Sequence, residues 1–157
     1  MKLECKIEEI RNIISQVERI TGKNLTLPVL NSILLIASGK SLKLRSTNLS
    51  LGIEVEIPAK IEKEGIVAVS GSVLLGIFSN VFQNENILLE DIDGNLIIKT
   101  KKSKIKIKGQ PHDDFPTIPR VVGMSFDIEP KKIIDGIKSV YYSSSVSDIK
   151  PEISSVF

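Results

Sequence analysis

The sequence has no tryptophan, one cysteine and one histidine, and aromatic residues make up only 4% of it. Each shortage closes a route. A surface that grips single-stranded nucleic acid by stacking needs rings for the bases to lie on. With Cys5 alone, no internal disulfide can form. Leu3, Cys5 and Ile7 alternate with charged residues, so the thiol reads as a small buried hydrophobe in a half-buried strand. His112, Asp113 and Asp114 are three adjacent loop residues that cannot converge on one ion or form a triad without help from elsewhere. No catalytic residue, metal or cofactor is therefore expected. "SGSVLLG" lacks the lysine that phosphate-binding loops use. No apolar run approaches the roughly 18 residues a bilayer span requires, and no secretory pattern follows Met1. A cytoplasmic protein without a membrane partner is the simplest expectation.

Net charge is also small: 21 basic residues face 19 acidic ones, for +2. Yet six lysines crowd into "KTKKSKIKIK", from Lys99 to Lys108, leaving 15 basic against 19 acidic residues elsewhere. The excess belongs to one segment and is no general polyanion-binding field. Within it, Ile105 and Ile107 alternate with Lys104, Lys106 and Lys108, the pattern of an exposed edge strand whose lysines discourage stray pairing.

What the sequence does have is repetition. A short strand leads straight into an amphipathic helix at the start, with Leu3 and Cys5 followed by Ile10, Ile13, Ile14 and Val17. At an offset of 64, Val67 and Val69 answer the strand, and Leu74, Ile77, Phe78 and Val81 answer the helix. At an offset of 123, Phe126, Ile128, Ile133, Ile137 and Val140 answer Leu3, Cys5, Ile10, Ile14 and Val17, and "KPEISSVF" lies over "LPVLNSIL". A fixed period marks a copied structural unit.

Between these headers the sequence alternates as strands do, with turn signals at Gly39 and Asn48 and a hairpin signal at Asp93 and Gly94. The pattern predicts an α+β fold. It has two strand-helix-three-strand halves, their antiparallel sheet covered by two helices on one side, plus a partial second copy. "PHDDFPTIPR" reads as a connecting stretch. The expected boundaries are a first domain at 1–119, a linker at 120–123 and the start of a second domain at 124–157. "PEISSVF", a strand without its next neighbours, should be poorly ordered or paired with another molecule.

"TLPVLNSILL", "STNLSLGIEVEIPA", "VAVSGSVLLGIF", "DFPTIP" and "SDIKPEISSVF" stand in an order and spacing that resembles the bacterial DNA polymerase III beta subunit family, the sliding clamps. The resemblance implies a non-enzymatic processivity factor. Two head-to-tail chains would encircle double-stranded DNA without reading its sequence. They would tether the replicative polymerase and meet the clamp loader through regions beyond these residues. It also implies which residues touch phosphates: Arg11 and Arg19 on the first helix, Lys23 and Asn24 after it, Lys131, Lys132 and Lys138 on the third helix, and Ser147 and Lys150 in the loop beyond. The second helix departs from the family pattern, with Ser72, Ser79 and Asn80 outward. By the same resemblance, Lys99, Lys102, Lys104 and Lys106 form the edge that meets the other chain. The other reading of these residues is a basic-edged, β-rich module that binds an acidic protein strand and has no DNA role.

Overall fold

The computed structural model describes residues 1–22, 27–80, 86–119, 122–145, 150 and 152–156. They gather into two compact units, Met1–Pro119 and Arg120–Phe157. The first half of unit one runs β1 (Lys2–Lys6), α1 (Ile7–Glu18), β2 (Ser32–Ser38), β3 (Ser41–Thr47), β4 (Gly52–Pro58) and β5 (Lys60–Lys63). Its second half runs β6 (Gly65–Ser70), α2 (Gly71–Asn80), β7 (Asn86–Ile92), β8 (Asn95–Lys99), β9 (Lys104–Ile107) and β10 (Gly109–Gln110).

The expected α+β arrangement of antiparallel sheet and two helices is present, and its strands divide into two five-stranded sheets. One has the order β5-β1-β7-β8-β9, the other β10-β6-β2-β3-β4. The division arises because each opening strand crosses over. β1 pairs with β7 of the second half, Leu3 opposite Leu89, while β6 pairs with β2 of the first half, Val69 opposite Ile33. The two halves are thus exchanged rather than set side by side.

Periodicity explains where the core sits. In α1 the positions Ile7, Ile10, Ile14 and Val17 fall on one face and are buried; in α2 Leu74 and Phe78 do the same at the repeat-equivalent places. Both helices pack on each other and onto the sheets, where Leu3, Ile33, Leu35, Leu42, Val67, Val69, Leu89 and Leu96 complete one cluster. Truncating one such fully buried isoleucine or leucine to alanine costs about 2–5 kcal/mol. Glu8 and Glu9 in the first turn of α1 complement its dipole, since no side chain caps it. Asp93 and Gly94 take positive φ, 52° and 72°, and close the β7–β8 hairpin. Threonine and asparagine side chains hold the β3–β4 turn. Asn48 Oδ1 accepts the N–H groups of Ser50 and Leu51, and Thr47 Oγ1 accepts that of Leu49, whose φ is 77°.

Unit two centres on α3 (Pro130–Val140). Proline suits its first turn, where an N–H would have no partner. Its apolar face, Ile133, Ile134, Ile137 and Val140, is about half exposed at each position. The strand expected around Phe126 and Ile128 is not formed, because a strand needs a hydrogen-bonded neighbour and no described segment supplies one. Glu152–Ser155 likewise form turns, not a strand: Ser145 N–H reaches the Ile153 carbonyl at 2.8 Å, and Ile153 N–H the Lys150 carbonyl at 3.1 Å.

Candidate nucleic-acid interface and assembly edge

The cationic residues singled out above differ in what surrounds them. Arg11 is half-buried, and its Nε donates to the Phe78 carbonyl at 2.9 Å. Phe78 lies in the last turn of α2, where carbonyls lack helical partners, so the guanidinium ties α1 to the negative end of α2. Arg19 stands exposed just past α1. Lys23, Asn24 and Ser147 lie outside the described residues. Lys131, Lys132 and Lys138 are all exposed on α3, with Lys132 ion-paired to Glu129 at 3.2 Å and Lys138 in the last turn. Lys150 is exposed as well.

The two helices differ in field. α1 sets Glu8, Glu9 and Glu18 against Arg11 and the neighbouring Arg19, so its solvent face is not cationic. On α3, Lys131, Lys132 and Lys138 outnumber Asp135, and Lys131 and Lys138 stand two turns apart on one face. Outward Ser79 and Asn80 on α2 turn back on that helix, donating to the carbonyls of Leu75 and Gly76 at 2.8 Å each.

The lysine-rich segment runs from the last residue of β8 through a turn into β9, an outermost strand. Lys99 Nζ donates to Glu90 Oε2 at 2.6 Å, and this bond, with weaker attraction from Lys2 and Lys104, holds the Glu90 carboxyl below its usual range. Lys102 sits in the turn, its N–H on Thr100 Oγ1 at 3.3 Å. Lys104 and Lys106 are exposed, while Ile105 and Ile107 between them face inward.

Hydrogen-bond alternation shows what the edge offers. Thr100 N–H bonds to the Ser103 carbonyl at 2.9 Å, so the next three pairs, Lys99 with Lys104, Ile98 with Ile105 and Ile97 with Lys106, alternate as non-bonded, bonded, non-bonded. The N–H and C=O of Lys104 and Lys106 therefore point away from β8, toward the open edge. β4 is the outermost strand of the other sheet. There Asn48 N–H bonds to the Leu51 carbonyl and Ala59 N–H to that of Lys40, and by the same alternation Glu54 and Glu56 turn their backbone groups outward. Their side chains lie in an ion-pair network with β3, Glu54 with Lys43 and Arg45, Glu56 with Lys43 at 3.5 Å. Sequence reasoning missed this second edge; the alternating glutamates of "GIEVEIP" were its signal.

Cys5 is buried and its thiol is pushed up to about 12, chiefly by desolvation and then by Glu9 and Glu4. Among the described residues no group of three or more His, Cys, Asp or Glu could hold a metal, and no helix is long and apolar enough to cross a membrane.

Residues 1–119 match the family model described as DNA polymerase III beta subunit, N-terminal domain. A beta sliding clamp of Synechococcus elongatus is 26% identical over 159 residues, covering 99% of this chain and 42% of the relative. One from Synechocystis is 27% identical over 165 residues, with the same coverage of each. The solved DNA polymerase III subunit beta of Pseudomonas aeruginosa shares the fold, with a TM-score of 0.87 at 22% identity over 96% of this chain and 41% of that one. This chain spans 42% of the length of these curated relatives.

Proposed function

The chain belongs to the DNA polymerase III beta subunit family through that family's N-terminal domain, and from this we propose that it serves in a sliding clamp. In this reading it is a processivity factor of the bacterial cytoplasm with no catalytic role of its own. Head-to-tail chains encircle duplex DNA and tether the replicative polymerase, with the clamp loader and polymerase engaging regions outside these residues. Residues 1–119 are one clamp domain, 120–123 a linker and 124–157 the start of a second.

The observation that carries this reading is the family match across the whole of unit one, joined to a fold in which two equivalent halves place α1 and α2 together. Enclosure needs cationic groups without base readout, because phosphate contacts position a protein and carry no sequence information. Arg19, Lys131, Lys132, Lys138 and Lys150, with Lys23, Asn24 and Ser147, form that phosphate-facing set. Arg11 belongs to it mainly as a brace, since its Nε is committed to Phe78. Lys99, Lys102, Lys104 and Lys106 line the edge toward the next chain.

Gel filtration of the native clamp on nicked circular plasmid and on the same plasmid linearised tests the proposal. Retention on the circle that is lost on cutting, and that falls steeply with salt, is expected. Equal binding to both forms would refute encirclement. No binding to either, together with capture of an acidic strand, would favour the basic-edged interaction module.

A further inference from the structure

The outer face of the β5-β1-β7-β8-β9 sheet, turned away from the core, is divided by charge. Cross-strand register sets Lys2, Glu90, Ile97 and Lys106 in one row, and Glu4, Leu88, Lys99 and Lys104 in the next. Toward β5 and β1 the charges are mixed and matched. Lys2 pairs with Glu62 at 2.6 Å, and Glu4 accepts the Asn86 amide at 3.0 Å. Toward β9 they are of one sign. Lys101, Lys102, Lys104, Lys106 and Lys108 are all exposed, and among the described residues none has an ion pair within 4 Å. The carboxylate of Glu90 on this side is already held by Lys99. Ile97 points outward with the lysines yet is only 4% exposed. Its direct neighbours in register are Glu90 and Lys106, whose long stems cover apolar surface while their charged ends stay in water.

We propose that this lysine face binds the phosphate backbone of a single nucleic-acid strand, on the side of the sheet away from α1 and α2. Alternate residues of a strand stand about 6.6 Å apart, so Lys104 and Lys106 are spaced much as successive phosphates are on a stretched chain. The turn extends the row with Lys101 and Lys102. Its bend is fixed because Thr100 Oγ1 accepts the N–H groups of Lys102 and Ser103 at 3.3 and 3.0 Å. A rigid duplex would touch a flat face briefly and then carry its phosphates away around the helix, whereas a single strand bends to keep each one on the row. From Lys99 to Lys108 there is no aromatic ring. No base is stacked, so the grip is by charge alone and indifferent to sequence. The face is also distinct from the β9 edge. Side chains stand perpendicular to a sheet while N–H and C=O lie in its plane, so a strand added at that edge leaves the ammonium groups accessible. This inference goes beyond encirclement of duplex DNA, because it needs no closed ring.

Fluorescence anisotropy of a labelled oligothymidylate of about 16 nucleotides, titrated with the 157-residue chain, tests it. A short linear probe slides out of any ring, so the result is independent of the circular-plasmid experiment. Circular dichroism melting establishes that each variant folds. Affinity should fall about fifty-fold between about 50 and 200 mM salt, as about four phosphate contacts on a single strand imply. Two unrelated sequences should bind alike. K104A/K106A should weaken binding about tenfold and lower the slope of log affinity against log salt by about 1.4. K101A/K102A, confined to the turn, should lower that slope equally; a merely structural effect would leave it unchanged. K131A/K132A/K138A on α3 should leave both affinity and slope as they are. Absence of binding at the lower salt overturns the proposal, as does loss with the α3 variant and not with the β9 and turn variants. Tighter binding of the same sequence as a duplex overturns the single strand as ligand. Displacement of the probe by polyglutamate more readily than by unlabelled oligothymidylate overturns nucleic acid in favour of an acidic protein segment.

Discussion

Replacing Gly109 with alanine should destabilise unit one far more than its half-buried, two-residue strand suggests. Gly109 pairs with Val69 in one sheet, and the carbonyl of Gly94, at the tip of the β7–β8 hairpin of the other sheet, presses on it. A methyl group at Gly109 would overlap the Gly94 oxygen and stand 2.9 Å from its carbonyl carbon. The obstacle is backbone, at a turn already committed to positive φ at Asp93 and Gly94, so no side chain can swing aside. Either β10 leaves β6 or the hairpin tip shifts. Overpacking of this sort costs about 1–3 kcal/mol, and with backbone on both sides the upper end applies. For a unit of this size about 3 kcal/mol lowers the melting temperature by about 10 °C. Urea and thermal unfolding followed by circular dichroism measure the loss. Gly76→Ala is the control: it lies exposed within α2 with nothing within 4 Å of a added methyl. It should stabilise the unit by about 0.5–1 kcal/mol through helix propensity. Gly109→Ala within about 0.5 kcal/mol of the parent would show that the two sheets do not bear on each other at this point.

Ser46→Ala removes the buried hydroxyl that donates to the Val17 carbonyl at 2.6 Å and ties β3 to the end of α1. Because Ile20 N–H also reaches that carbonyl, at 3.2 Å, the expected loss is about 1 kcal/mol in chemical denaturation. Cys5 should resist a thiol reagent at pH 8 in the folded protein and react fully in denaturant, because its thiolate is suppressed by burial; rapid native labelling would contradict its placement. Glu90 has its folded pKa depressed, chiefly by the Lys99 hydrogen bond, so its contribution is present above its ordinary 4.5 and is lost as pH falls through the folded value. The stability difference between the parent and Lys99→Met should therefore be full at neutral pH and close below pH 4.5. A difference that persists in acid would assign it to packing of the lysine stem instead.

Local patterns were legible where the physics is local. The spacing of Ile10, Ile14 and Val17 marks a helix face, Asp93 and Gly94 mark a hairpin, and the alternation around Ile105 marks an edge strand; the structure has all three. Pairing partners were not legible, because alternation tells which face a residue occupies and not which strand lies beside it. The crossing of β1 and β6 into each other's sheets is a long-range choice of that kind. Phe126 and Ile128 show the converse: a strand-like pattern stays without a strand when nothing described pairs with it. At the candidate site, the count of lysines was plain in the sequence, but the task of each was not. Arg11 looks like any outward arginine until Phe78, 67 residues away, is brought beside it. Lys99 looks like its neighbours until Glu90 is found to hold it.

The exchange of opening strands also sets the order in which the molecule can come into being. Leu3 can meet Ile61 of β5 once the first half is made, but its other side must wait for Leu89, and Ile107 must arrive before that sheet has its last strand. A chain emerging from the ribosome would therefore carry one edge of β1 unpaired, and the side of α1 that meets α2 uncovered, until the second half is made. Closure would come in one late, cooperative step, of the slow kind that contacts distant in sequence impose. Translation stalled between α2 and β8 would leave an aggregation-prone intermediate, a natural client for a chaperone at the tunnel exit.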